Sequence, residues 1–95
     1  MSTNVIVMFK SKPEKVAAFA ALMAGVKNEL PKVEGCMSVR IFNDRHNPCE
    51  FVLVETWESE AAHKRHIDRV VSSGGWDHIA SHLADGPISS YYDAV

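Results

Sequence analysis

His63 and His66 stand three residues apart in Glu60-Ala61-Ala62-His63-Lys64-Arg65-His66, directly after the run Phe51-Val52-Leu53-Val54-Glu55-Thr56-Trp57. Stepping about 100° per residue around a helix places Ala62, His63, His66, Ile67 and Val70 within one arc of about 140°, with Lys64, Arg65 and Asp68 on the other side. Both imidazoles therefore face the protein. Three chemistries fit such a pair. The rings can be packed groups bonded to backbone carbonyls. One can line a pocket between helix and sheet and act as a base near its ordinary pKa of about 6.5. Or the i, i+3 pair can share a metal ion, although no carboxylate or third histidine stands at ligand spacing. His78 and His82, at i and i+4, are better spaced for a metal and read equally as exposed polar residues of an amphipathic turn.

Trp57 ends a strand, and Trp76 follows the break Ser72-Ser73-Gly74-Gly75. Each is either a large core filler or a wall of a planar, apolar pocket, with Ser72–Gly75 then serving as a movable lid. Gly74-Gly75 follows no strand, so it is a flexible break and no phosphate cradle. No Ser–His–Asp arrangement has local support, and Cys36 lacks the basic neighbour that would activate a thiol.

The elements that must position these side chains follow from the rest of the chain. Its 95 residues suit one domain. Hydrophobic residues at 46% and charged residues at 23% are ordinary globular values. A net charge of −2 offers no basic footprint for nucleic acid. No apolar run approaches the roughly 20 residues that span a bilayer, which argues against a membrane protein. Met1-Ser2-Thr3-Asn4 has neither the basic region nor the cleavage site of a signal peptide, so a cytosolic location is expected.

Asn4–Lys10 is β-branched and apolar, a first strand. Pro13 and Glu14 open a helix, on which Val16, Phe19, Ala20, Met23, Val26 and Leu30 form one apolar stripe until Pro31 stops it. Cys36–Asn43 alternates, with Met37, Val39 and Ile41 on one face and Ser38 and Arg40 on the other. Asp44–Pro48 is a turn, so this strand pairs with Phe51–Trp57 as a hairpin. Cys36 and Cys49 then lie about 20 Å apart at roughly 3.3 Å per residue, too far for a disulfide, and are expected to be free thiols. Ser59 is a plausible N-cap of the second helix, which Ser72–Gly75 breaks. Trp76, Ile79 and Leu83 suggest short helical turns, and Ile88–Val95 a last strand.

The order strand, helix, strand, strand, helix, strand is that of an α+β, ferredoxin-like fold: a four-stranded antiparallel sheet with its helices on one face. The strand Phe51–Val54 is apolar at every position, and Val5, Val7 and Phe9 alternate with Ile6 and Met8. Both sheet faces therefore need cover. Burial is worth about 25 cal/mol per Å², and the cheapest second cover is another copy of the same face, which predicts a sheet-to-sheet homodimer.

Glu55-Thr56-Trp57-Glu58-Ser59, followed by Ala61-Ala62 and His66, resembles the E-x-W, Ala-Leu, His signature of antibiotic biosynthesis monooxygenase domains, with quinol monooxygenases the nearest group. Val33-Glu34-Gly35-Cys36 resembles that family's entry to the second strand. The resemblance implies a dimeric α+β barrel. It also implies oxidation of a small hydroxyaromatic substrate (quinol, phenol or anthrone) by O₂ without metal, flavin or haem, the deprotonated substrate itself supplying the electrons. On this reading His66 is the catalytic base, and Trp57, His63 and Trp76 contact the substrate. Haem-degrading relatives use an asparagine inside the first strand. Here that interior is Val5-Ile6-Val7-Met8, with Asn4 at its edge, which disfavours haem degradation. A small dimeric barrel that binds without turnover is the alternative, because fold alone does not settle function. A cavity of a few hundred Å³ touching His66 would favour the enzyme.

Overall fold

The computed structural model describes residues 2–95. Strands β1 (Thr3–Lys10), β2 (Cys36–Asn43), β3 (Glu50–Trp57) and β4 (Ile88–Tyr92) form one antiparallel sheet in the order β2-β3-β1-β4. Helix α1 (Val16–Glu29) connects β1 to β2, while α2 (Glu60–Ser72) and the short α3 (Gly75–Ala80) connect β3 to β4. This is the α+β, ferredoxin-like arrangement expected from the element order.

The helix signals act as their chemistry dictates. Pro13 sits in a 3₁₀ turn, Pro13–Lys15, that leads into α1; Pro31 lies in a second, Leu30–Lys32, that ends it. On α1, Phe19 and Met23 are buried and Leu30 just beyond is too, but Ala20 is exposed and Leu22 takes its place beside the core. The Ser59 hydroxyl caps α2, accepting the Ala62 backbone N–H at 3.1 Å. The free thiols Cys36 and Cys49 lie at opposite ends of the β2–β3 hairpin.

Burial alternates strictly along β3 although its sequence does not. Phe51, Leu53, Glu55 and Trp57 are buried beneath the helices, while Val52, Val54 and Thr56 are half-buried on the other face. That open face carries Met8, Phe42, Ile88 and Tyr92 at 48%, 46%, 69% and 46% exposure. Met37 departs from its expected place. A bulge between Cys36 and Ser38 inserts it as an extra residue, and it stands exposed, outside the row formed by Val39 and Ile41.

Under the helices the core divides into two clusters. One gathers Phe9, Phe19, Met23, Phe51, Leu53 and Leu83; the other gathers Val5, Leu30, Trp57 and Ala62; Val7 and Val26 pack against both. Gly35 fixes the approach of the second cluster's helix. It has φ of 91°, a Cβ there would stand 2.7 Å from the Ala62 Cβ, and its carbonyl accepts the Glu58 N–H at 2.8 Å. Gly35→Ala is expected to lose about 1–3 kcal/mol of stability from backbone strain and the Ala62 contact together, read as a lower urea midpoint at unchanged slope.

Candidate active site

The site begins at Trp57, which is fully buried on β3 and carries an imidazole against each part of its ring. The His63 centroid lies 5.3 Å from it in an edge arrangement, and that of His66 5.2 Å away, tilted by 31°. The α2 cap and the i, i+3 spacing bring both rings down onto the same indole. Trp57 Nε1–H donates to Glu55 Oε1 at 2.8 Å, because residues two apart on a strand share a face.

The two histidines are not equivalent. His63 is buried and shares a 2.9 Å hydrogen bond between its Nδ1 and the Tyr91 hydroxyl, which β4 supplies from across the sheet. His66 is half-buried and has no hydrogen-bond partner among the described residues. Both are held below the ordinary imidazole pKa, chiefly because burial disfavours their charged forms. The neighbouring imidazole adds to the effect at His63, and Arg69 adds to it at His66. Both rings are thus kept neutral; His63 has one nitrogen tied to Tyr91, while His66 has both nitrogens without a hydrogen-bond partner among the described residues.

These groups border a cavity of about 690 Å³ between the helices and the sheet, within the usual range of about 300–1,000 Å³ for small-molecule sites. Its sheet side presents Val7, Leu53, Glu55 and Tyr91. Met23, Val26 and Leu30 come from α1 and its terminal turn; His63, His66, Ile67 and Val70 come from α2. Trp76 and Ile79 come from α3, which Gly74, at φ of 83°, sets off from α2. The walls are mainly apolar, and the polar groups that reach them are few.

His63, His66 and Trp76 therefore meet at one cavity, as their spacing suggests. Trp57 does not line it. The two histidines pack on the fully buried indole, so it supports the wall from behind. His82 also departs from expectation: it is buried against Phe19, its Nδ1 2.9 Å from the His78 carbonyl oxygen. Among the described residues no three His, Cys, Asp or Glu side chains are grouped to hold a metal ion. Asn4 faces away from the cavity, accepting the Thr56 hydroxyl at 3.1 Å on the open side of the sheet. Two further residues line the cavity that the sequence did not place there, Glu55 and Tyr91. Glu55 carried a signal, since it shares the parity of Leu53 and Trp57 on the strand; Tyr91 carried none, because only the β1–β4 pairing brings it to His63.

Residues 3–70 match the family model for antibiotic biosynthesis monooxygenases. No curated protein sequence matches the chain. Among solved structures, that of an antibiotic biosynthesis monooxygenase superposes with a TM-score of 0.86 at 24% identity, covering 98% of each chain. A conserved protein from Methanosarcina mazei Go1 gives 0.83 at 24% identity, covering 97% of this chain and 91% of its own. A variant of SnoaB, a cofactor-independent oxygenase from Streptomyces nogalater, gives 0.81 at 12% identity, covering 98% of this chain and 92% of its own. At these identities the superpositions speak for the fold.

Proposed function

Since the chain belongs to the antibiotic biosynthesis monooxygenase family, we propose that it oxidises a small hydroxyaromatic molecule with O₂ and without an added cofactor, using His66 as general base. The observation that carries this reading is the free, neutral His66 imidazole at the wall of an apolar cavity of about 690 Å³. A module that merely binds has no need of a base held ready in an apolar pocket. Membership of the monooxygenase family supports the same chemistry.

His66 takes the proton from an aromatic hydroxyl or activated carbon, leaving an electron-rich anion. The walls are mainly apolar, so the few electrostatic contacts made inside the cavity are strengthened. The anion reduces O₂. One oxygen atom enters the product, the other leaves as water, and the substrate supplies all four electrons: a methylene becomes a carbonyl, or a quinol becomes a hydroxyquinone. Trp76 and Ile79 wall the aromatic ring, and the His63–Tyr91 pair borders its polar edge. An oxygen electrode over a panel of quinols, phenols and anthrones tests the reading. Consumption above the autoxidation blank with at least one of them is expected, and none across the panel would return the protein to the class of non-catalytic modules.

The same reading makes the working unit a homodimer through the open sheet face. Met8, Phe42, Ile88 and Tyr92 leave apolar surface there whose burial against a second copy is favourable. Sedimentation at micromolar concentration is expected to give twice the 10.5 kDa mass of the chain. A species of 10.5 kDa alone would sink the dimer.

A further inference from the structure

Glu55 is 5% exposed, yet neither ion pair among the described residues includes it. Its cross-strand neighbours are Val5 on β1 and Val39 on β2, both apolar. The Cys36 thiol from β2 lies beside it, and the titratable groups on the same cavity are the neutral His63 and His66 and the Asp68 carboxyl from α2, the Tyr91 hydroxyl from β4 and Glu29 at the end of α1, none of them a cation. Lys64, at the cavity's edge, is bound to Glu60 at 2.7 Å. A buried carboxylate without a cation is costly, and the group escapes the cost by keeping its proton. Burial accordingly raises the Glu55 pKa, against the opposing effect of the Trp57 N–H.

The two carboxyl oxygens are differently engaged. Oε1 accepts Trp57 Nε1–H at 2.8 Å. Oε2 has no partner among the described residues and is not sealed from the cavity, which Glu55 lines. An acid held by one oxygen offers its O–H from the other. We propose that Glu55 donates this O–H to a second oxygen of the bound molecule while His66 faces its first hydroxyl, so that Glu55 selects aromatic compounds with two oxygen functions over those with one. The inference rests on the reading of the cavity as a hydroxyaromatic site, and it adds a specificity-determining contact that the base alone does not supply.

Anaerobic calorimetry with naphthalene-1,4-diol and 1-naphthol tests it without turnover. One added hydrogen bond to a buried donor makes the wild type bind the diol about tenfold more tightly. In Glu55→Leu the ratio should fall to about one. In Glu55→Gln it should survive, because the amide oxygen still accepts from Trp57 while the amide N–H donates to the ligand. An ionised Glu55 would instead accept from the diol, a case that the carboxyl protonation state separates, since the amide of Glu55→Gln can donate to the diol either way. Carboxyl ¹³C NMR of the wild type should find Glu55 protonated at pH 7, a readout that survives even if Glu55→Leu fails to fold. The proposal is overturned by an ionised Glu55 at pH 7, by loss of the preference in Glu55→Gln, by its persistence in Glu55→Leu, or by equal affinities in the wild type, failure of both ligands to bind included. Absence of oxygen consumption would remove the oxygenase reading alone, leaving these ratios to decide the role of Glu55.

Discussion

His66→Ala is expected to lower turnover of the best quinol or anthrone by about 10²–10⁴-fold, the usual contribution of a general base, while the protein stays folded. The ring is half-buried and makes no hydrogen bond among the described residues, so its removal leaves no orphaned partner. His63→Ala should cost less in rate, since His63 is tied to Tyr91 and stands as part of the wall. The pH dependence carries the sign. Burial and Arg69 lower the His66 pKa, so the neutral base persists on acidification and the acid limb of kcat/KM falls below pH of about 6.5. Stability follows the same sign. Both imidazoles have folded pKa values below their unfolded ones, so the unfolded chain binds more protons as pH drops through about 6.5, and their contribution to stability is lost on acidification. Oxygen consumption by His66→Ala equal to that of the wild type would remove the base assignment.

Trp57→Ala should destabilise the fold by about 3–5 kcal/mol, a large share of the 5–15 kcal/mol typical of a whole domain. The indole is fully buried in the cluster with Val5, Leu30 and Ala62, and it supports both imidazoles from below. Trp57→Phe keeps a ring in that place but takes the donor from Glu55 Oε1, at a cost of about 1–3 kcal/mol. Chemical denaturation of the three proteins measures the order wild type, Trp57→Phe, Trp57→Ala. A loss under 1 kcal/mol for Trp57→Ala would contradict its place beneath the two histidines.

The fold was readable because its signals are local. β-branched runs, two prolines at the ends of α1, the Ser59 cap and the break before α3 each mark an element by short-range chemistry. The inward turn of His63 and His66 was equally local, being a matter of helical angle. What escaped depends on pairing between distant segments. Met37 alternates correctly in the sequence, yet the bulge that displaces it is set by β3. Trp57 looked like a cavity wall because a strand-end tryptophan has two faces, and only the seating of α2 covers the one in question. His82 looked exposed until its backbone carbonyl met Lys12 N–H at 2.8 Å, which draws the end of α3 down against β1's exit. Tyr91 sits in a short segment with no pattern of its own, and its role arises wholly from the register that sets it opposite Val5.

The divided core has an implication for how such a domain can change over time. The cavity's polar groups His63, His66 and Glu55 are built around Trp57, in the cluster of Val5, Leu30 and Ala62. The surfaces that set the cavity's length and width, Met23, Trp76 and Ile79, belong to or pack on the cluster around Phe19. Substitutions in the second set alter the shape of the cavity with little effect on the first, because the two clusters meet only through Val7 and Val26 and packing effects fade between residues that are not in contact. On the function proposed above, a lineage carrying this architecture can exchange one substrate for another by repacking α1 and α3, and inherit its reaction unchanged.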